Sequence, residues 1–320
     1  MGLLVEGVWQ DKWYDTEKNQ GKFKREASKF RNEISRQADS RFKPESGRYH
    51  LYVSLACPWA HRTLIFRKLK DLESHISVSV VSPDMLGQGW QFDGFTGATV
   101  DHLYGFDHLH QLYTKADSGY SGRVTVPVLW DKQEQAIVNN ESAEIIRIFN
   151  GSFDDLTGNR RDFYPEELRE QIDSINDRVY HKVNNGVYKA GFATTQDAYE
   201  AAFNELFSTL DWLDSHLAQN RYLAGNRLTE ADWRLFTTLV RFDAVYHGHF
   251  KCNLRRIADY ANLSGYLREL YQYPGIAETV DFNHIKRHYY YSHEQINPTR
   301  IVPAGPEVDL TSSHNREHLQ

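Results

Sequence analysis

Tyr49-His50-Leu51-Tyr52-Val53-Ser54-Leu55-Ala56-Cys57-Pro58-Trp59-Ala60-His61-Arg62-Thr63-Leu64 reads as a strand, a tight turn and the opening of a helix. Tyr49, Leu51 and Val53 alternate with His50 and Tyr52, the two-residue period of a strand. Pro58 has the fixed φ and missing N–H that a first helical turn tolerates. Leu64, Ile65, Leu69 and Leu72 then recur at the three- to four-residue spacing of a buried stripe. Cys57 is therefore read as the N-cap. Free N–H groups and the positive end of the helix dipole stabilise an anion there, and His61 and Arg62 add positive charge one turn on. A thiol so placed is expected to ionise more easily than a free one. The bland alternative is a buried cysteine packing as a small hydrophobe.

Working outward, Ile76, Val78 and Val80 alternate with Ser77 and Ser79 as a second strand. Residues 83–106 are rich in Gly, Asp and aromatics and fit neither period, so they are read as an insertion loop containing Trp90, with a short helix near 107–117. Gly87-Gln88-Gly89 is not a dinucleotide fingerprint, because Phe92 stands where a third glycine is needed. Val124 to Trp130 reads as the next strand. Pro127 within it cannot donate to a ladder, so it belongs at an edge or an interruption, where a ligand peptide can pair with the free backbone. Ile137-Val138 is a short last strand, and Asn139-Asn140-Glu141-Ser142 opens a helix carrying Ile145, Ile146 and Phe149. At that N-terminus the N–H groups and the Ser142 hydroxyl suit a carboxylate while Glu141 suits an ammonium, as in an α-amino acid head; plain capping is the alternative.

Asp154 to Arg161 reads as a linker, and the rest is helical. Pro165 starts a helix with Leu168, Ile172, Ile175 and Val179 on one face, expected to end at Asn184-Asn185-Gly186. Thr194 with Asp197 resembles a capping box ahead of Leu206, Leu210, Leu213 and Leu217. Thr229 with Asp232 is another, and a further helix lies near 264–272. Residues 1–47 show no sustained period; their rings (Trp9, Trp13, Tyr14, Phe23, Phe30, Phe42) point to an ordered extension over a neighbouring surface. The tail holds His284, Tyr289, Tyr290 and Tyr291 and then Asn297 to Pro303, extended and bounded by prolines.

The 320 residues suggest two domains. With 43 acidic and 37 basic residues the formal charge is −6, and no basic block stands out, which argues against nucleic acid or an anionic membrane as partner. The 19 tyrosines and 7 tryptophans exceed what a core requires, so some are expected to line a cleft for a flat ligand. Only Cys57 and Cys252 occur, which rules out a disulfide framework. With no apolar run of spanning length and no leader-like opening, a cytoplasmic protein is expected, and the sequons at Asn140, Asn150 and Asn262 are chance matches.

An α/β thioredoxin-like half followed by an all-helical half, with Cys-Pro at the first helix, Val-Pro before a strand and Glu-Ser at the third helix, resembles a cytosolic glutathione transferase. More specific matches are Cys57-Pro58-Trp59-Ala60, the Trp90 insertion, Arg123 before Val126-Pro127, Asn185 to Ala193, and His288-Tyr289-Tyr290 followed by Ile296-Asn297-Pro298. These are similar to the glutathionyl-hydroquinone reductases, the xi class of that superfamily. The resemblance covers nearly the whole chain. It implies an N-terminal extension (1–47), a thioredoxin-like glutathione-binding domain (48–155), an all-α glutathione-transferase C-terminal domain (162–283) and a C-terminal extension (284–320). It further implies that Cys57 is the nucleophile, that Trp90, Arg123, Val126, Glu141 and Ser142 hold glutathione beside a cis Pro127, and that Tyr188 and Tyr289 face the aromatic substrate. Which of Tyr289, Tyr290 and Tyr291 points inward stays open. Glutathione as co-substrate, no metal, and a homodimer complete the implication.

The chemistry can also be argued from the residues. Cys57-x-x-Ala60 has no resolving thiol, so the natural intermediate is a mixed disulfide with an external thiol. Two rival readings stand beside the reductase: an omega-like or glutaredoxin-like thiol transferase or dehydroascorbate reductase, and a non-enzymatic scaffold of the same fold. His284 and His288 are spaced like a zinc pair, but Ile285 replaces the glutamate of that motif, and exposed histidines are expected instead. Lys251 and Arg255 beside Cys252 raise the alternative of a lowered pKa, but no helix start is evident there and a structural or incidental thiol is expected.

Overall fold

The computed structural model describes residues 2–319. The chain divides into two compact units. One comprises Met1–Trp13, Glu26–Arg161 and Thr279–Glu294, the other Tyr14–Arg25, Asp162–Glu278 and Gln295–Gln320.

In the first unit β1 (Leu3–Val5) and β2 (Val8–Gln10) form a hairpin. Sequence periodicity offered no strand here, since each is three residues long. β3 (Tyr49–Val53) leads into α1 (Pro58–Leu69) and β4 (Ser77–Val80), and β3 and β4 pair in parallel with His50 opposite Ser77. α2 (Leu109–Ala116) follows the 83–106 loop. β5 (Gly122–Arg123) pairs with β1, whereas β6 (Val128–Asp131) pairs antiparallel with β3 and with β7 (Ala136–Asn139). The main sheet has the order β4-β3-β6-β7. Of the strand expected over 124–130 only the part from Val128 forms, as β6; residues 124–127 lie in no strand. Pro127 lies not at a sheet edge but at an interruption just ahead of β6, where it breaks no ladder bond.

Every residue of β3 is buried, on both of its alternating faces. The reason is the insertion, which covers the face bearing His50, Tyr52 and Trp130. The Tyr52 hydroxyl donates to Asp101 at 2.8 Å, and Trp130 Nε1 donates to the Tyr104 hydroxyl at 3.0 Å. The two His50 ring nitrogens meet the Ser77 and Ser79 hydroxyls at 2.7 and 2.9 Å. Buried polar groups on that face are therefore paired rather than solvated.

α3 (Ser142–Gly151) packs against α1. The expected linker begins instead with a single helical turn, α4 (Asp154–Thr157), closed by Gly158 at φ +74°. Buried Lys70 holds this segment, pairing with Asp154 at 3.0 Å and donating to the Arg161 carbonyl at 2.6 Å.

The second unit holds α5 (Arg169–Val179), α6 (Gly186–Gly191), α7 (Gln196–Leu217), α8 (Glu230–Arg241) and α9 (Leu263–Tyr271). α5 does not stop at Asn184-Asn185-Gly186. It widens through Tyr180–Asn184, with Asn185 N–H reaching the Tyr180 carbonyl, and runs on into α6. The Asn184 amide that was expected to terminate the helix is used instead by α8, donating to the Arg234 carbonyl and the Thr238 hydroxyl at 3.1 and 2.7 Å. α7 is capped by Thr195, not Thr194: the Thr195 hydroxyl accepts from Ala198 N–H, while Thr194 N–H is taken by the Gly21 carbonyl at 3.0 Å. The Thr229–Asp232 capping box is present at α8.

α10 (Phe282–Ser292) belongs to the first unit and ties down the insertion. Arg287 is bidentate to Asp84 at 2.7 and 2.8 Å. His284 and His288, expected to be exposed, are both buried, their ring nitrogens against the carbonyls of Thr96 and Pro83 at 2.7 and 2.9 Å. No helix among the described residues is long and apolar enough to cross a membrane.

Candidate active site

Cys57 caps α1 with an extended backbone (φ −78°, ψ 121°), and its thiol does not cap the helix; it points to the Val126 carbonyl, Sγ to O 3.7 Å. Strand β3 delivers the cysteine to this spot, and Pro58 starts the helix behind it. Val126, in cis peptide linkage to Pro127, is buried and lies outside the ladder that begins at Val128. One turn into α1, the fully buried Arg62 places its guanidinium 4.6 Å from the Trp59 ring centroid and donates to the Ser142 hydroxyl at 3.4 Å. It links the N-terminus of α1 to that of α3. His61 is buried too, its Nε2 at 2.7 Å from the Thr279 hydroxyl.

Glu141 is the N-cap of α3. One carboxylate oxygen accepts from Ala143 N–H at 3.2 Å, and the other accepts from the Ser28 hydroxyl at 3.1 Å. The capping alternative raised from sequence is therefore real, and it leaves the Ser142 hydroxyl at the mouth of the same helix. Tyr113 of α2 unites the two segments. Its buried hydroxyl donates to the Thr125 carbonyl at 2.8 Å and accepts from the Asn140 amide at 3.2 Å, so it braces the residues immediately before Val126 and before Glu141. Burial raises the Tyr113 pKa, which keeps it a neutral phenol able to do both.

Trp90 is buried and stacked on His288, centroids 4.8 Å apart. Of the three consecutive tyrosines on α10, Tyr289 is buried (1% exposed), Tyr290 is half-buried, and Tyr291 lies under the Arg287 guanidinium. The Tyr289 ring meets those of His288 and His293 at 5.2 and 5.5 Å, and His293 meets Trp13 edge-on at 6.1 Å. Arg123 of β5 donates to the carbonyls of Lys12 and Trp13. The first unit thus brings Cys57 to Val126 and Ser142 to Arg62, and it joins Trp90 to Tyr289 through His288. Tyr188 falls in the second unit, on α6, where it is 8% exposed and ringed by Phe23, Phe192, Tyr246 and Phe250.

Ser28, Tyr113 and His293 were not singled out from sequence, and His288 was weighed there only as half of a zinc-spaced pair and as the start of the His288-Tyr289-Tyr290 match. Trp13 was noticed only as one ring among several in the N-terminal extension. Nothing local marks them: each acquires its place by a contact far along the chain. Cys252, by contrast, is fully buried in the second unit, and desolvation pushes its pKa well up, as suits a structural thiol. No group of three or more His, Cys, Asp or Glu able to hold a metal occurs among the described residues.

A thioredoxin-like sheet with a cysteine capping its first helix, and a separate helical unit, define the glutathione S-transferase architecture. The Glutathione S-transferase N-terminal domain matches residues 56–151 and the C-terminal domain residues 196–269. The chain is 59% identical over 326 residues to glutathionyl-hydroquinone reductase YqjG of Escherichia coli (strain K12), spanning 99% of each. The glutathione-bound structure of that protein superposes with a TM-score of 0.91, covering 99% of each chain at 55% identity. Glutathionyl-hydroquinone reductase PcpF of Sphingobium chlorophenolicum is 57% identical over 97% of this chain and 98% of its own. A xi-class transferase from Natrialba magadii superposes at a TM-score of 0.94 and 52% identity, covering 100% of this chain and 97% of that one. The chain belongs to the glutathione S-transferase family, within its xi class, together with the glutathionyl-hydroquinone reductases.

Proposed function

We propose that this protein removes glutathione from S-glutathionyl-hydroquinones through a mixed disulfide at Cys57. The observation that carries the reading is the thiol at the start of α1, beside the Val126 carbonyl, with Ala60 in the place of a resolving cysteine. The Cys57 thiolate attacks the glutathionyl sulfur; an S–S bond forms and the S–C bond to the ring breaks. The ring carbon takes the electron pair and a proton, giving the hydroquinone. A second glutathione thiolate then attacks the mixed disulfide, releasing oxidised glutathione and restoring the Cys57 thiolate. Both sulfurs are oxidised by one step and the ring carbon is reduced.

Carbon is a poor leaving group. The step becomes reasonable when the ring passes through its keto tautomer, so that an enolate departs and phenolic donors stabilise its oxygen. Tyr188 and Tyr289 are assigned that role. Trp90, Arg123, the Val126 backbone, Glu141 and Ser142 are assigned to glutathione, with the α3 N-terminus receiving its γ-glutamyl carboxylate and Glu141 its ammonium. The glutathione-bound relative supports glutathione as the ligand. A cytoplasmic homodimer belongs to the same reading, its assembly to be read by analytical ultracentrifugation.

The test is mass spectrometry after one turnover's worth of a glutathionyl-hydroquinone is supplied without free glutathione. One glutathione adduct on the Cys57 peptide is expected, with hydroquinone released in equal amount. A Cys57→Ser variant that retains reductase turnover overturns the mechanism. Faster turnover on a small glutathionyl mixed disulfide than on the hydroquinone conjugate favours the thiol-transferase alternative instead.

A further inference from the structure

The segment Tyr14–Arg25 belongs to the helical unit although it lies in the N-terminal extension, and it is fastened there at several points. The turn Thr16 to Gly21 closes with Gly21 N–H on the Thr16 carbonyl at 2.8 Å. Gly21 has φ +79°, and a methyl there would collide with the Thr195 side chain that caps α7. Its carbonyl takes Thr194 N–H, and the Thr195 hydroxyl also reaches the Gln20 carbonyl. Beyond the turn, Phe23 packs edge-on to Tyr14 at 4.7 Å and lies beside Tyr188 and Phe192 at 6.4 and 5.3 Å.

The outcome of this anchoring is the position of Arg25. Its Nε donates to Oδ1 of buried Asn185 at 3.3 Å, and its guanidinium carbon is 5.1 Å from the centroid of the Tyr188 ring. Asn185 stands three residues before Tyr188, so one helical turn presents both the acceptor that orients the guanidinium and the ring it covers. A cation over a phenol face favours the ring's electron-rich state, and the phenolate is richer than the phenol. Tyr246 is another ionisable group against the ring, at 6.1 Å, and Phe23, Phe192 and Phe250 pack around it as uncharged rings. Lys189 follows Tyr188 in sequence, but its ammonium is bound to the His181 carbonyl at 3.0 Å.

We propose that Arg25 is a positioning residue for Tyr188, its guanidinium held over the phenol ring so that the hydroxyl becomes a stronger hydrogen-bond donor toward the substrate oxygen. This rests on the assignment of Tyr188 to the hydroquinone made above. It makes the N-terminal extension part of the reductase apparatus, since the charge that tunes a core tyrosine comes from a segment outside both matched domains.

The experiment uses the full chain labelled with 13Cζ-tyrosine, the Tyr188 resonance being assigned by its loss in Tyr188→Phe. Arg25→Met keeps an unbranched apolar stem in place of the arginine's and removes the guanidinium and its charge. It is expected to raise the Tyr188 titration midpoint by about half a pH unit and to lower kcat about two- to fivefold with KM for glutathione unchanged. Arg25→Lys should recover part of both, and Arg25→Met should cost nothing further in the Tyr188→Phe background. An unmoved Tyr188 midpoint in a folded Arg25→Met protein overturns the proposal. So does an equal loss of turnover in the Tyr188→Phe background, which marks a merely structural role. If instead the midpoint moves while Tyr188→Phe turns over at the full rate, the coupling of Arg25 to Tyr188 stands and the assignment of Tyr188 to the substrate falls.

Discussion

Tyr113 shows how a single residue can govern a site it does not enter. Its hydroxyl joins Thr125 to Asn140, the residues preceding Val126 and Glu141. Tyr113→Phe removes that oxygen and leaves a buried carbonyl and a buried amide to find other partners, a loss of roughly 1–3 kcal/mol of stability. If those two segments hold glutathione, KM for glutathione should rise severalfold while kcat changes little; thermal melts and steady-state kinetics read the two effects separately. Cys57 is the opposite kind of residue. Its setting follows from its immediate neighbours, since Pro58 permits a helix to begin and the strand before it ends at Val53. That is why the cysteine was legible in the sequence and the tyrosine behind it was not. Cys-Pro and Glu-Ser are local signals at helix starts and Val-Pro is one ahead of a strand, whereas Tyr113 looks like any aromatic on an amphipathic helix until the chain closes around it.

At the scale of elements, the junction of α5 and α6 is where local reading and structure part. Asn184-Asn185-Gly186 has the composition of a helix end, yet helix continues, because Asn184 finds its acceptors on α8 rather than on its own last turn. The continuation puts Gly191 at the end of α6, against the Phe250 ring, with no room for a methyl. Gly191→Ala should therefore destabilise the protein by roughly 1–3 kcal/mol, measurable as a lower midpoint in urea with an unchanged slope. The same change placed at Gly158 or Gly225 meets no neighbour, though both have positive φ, so any cost there is backbone strain alone. α10 is the other element that composition obscured. Its tyrosines were placed in the tail and its histidines were expected to be exposed, but Asp281 caps it by accepting from His284 N–H, and Arg287, His284 and His288 pin it to the 83–106 loop. Trp90 owes its place to that docking through the stack on His288.

For the whole molecule, the polar layer between β3 and the insertion sets a dependence of stability on pH. Desolvation, with smaller contributions from Lys132 and His102, pushes the His50 pKa down from 6.5 to about 3, so the folded protein keeps this histidine neutral. The unfolded chain protonates first. Stability is therefore full above pH 6.5 and is lost as the pH falls from there toward 3, with a slope of at most about 1.4 kcal/mol per pH unit from this group. His50→Gln, which cannot titrate, should start from a lower melting temperature at pH 7.5 but show a flatter decline between pH 6.5 and 4.5; an equal decline in both proteins would assign acid lability elsewhere. The insertion that buries His50 has no period of its own, and only its glycines and rings hinted at an ordered loop. By itself the sequence determined the succession of the main-sheet strands and their helices from β3 to α3, the helix starts at Cys57, Glu141 and Thr229, and the class of fold, because two- and four-residue periods and capping chemistry act over a few neighbouring residues. Only the tertiary structure decided that residues 14–25 join the helical unit, that α10 seats Trp90, that Tyr113 spans two segments and that Arg25 lies over Tyr188. Those contacts join residues tens to hundreds of positions apart, and their energy exists only once burial has removed the water that otherwise satisfies each group.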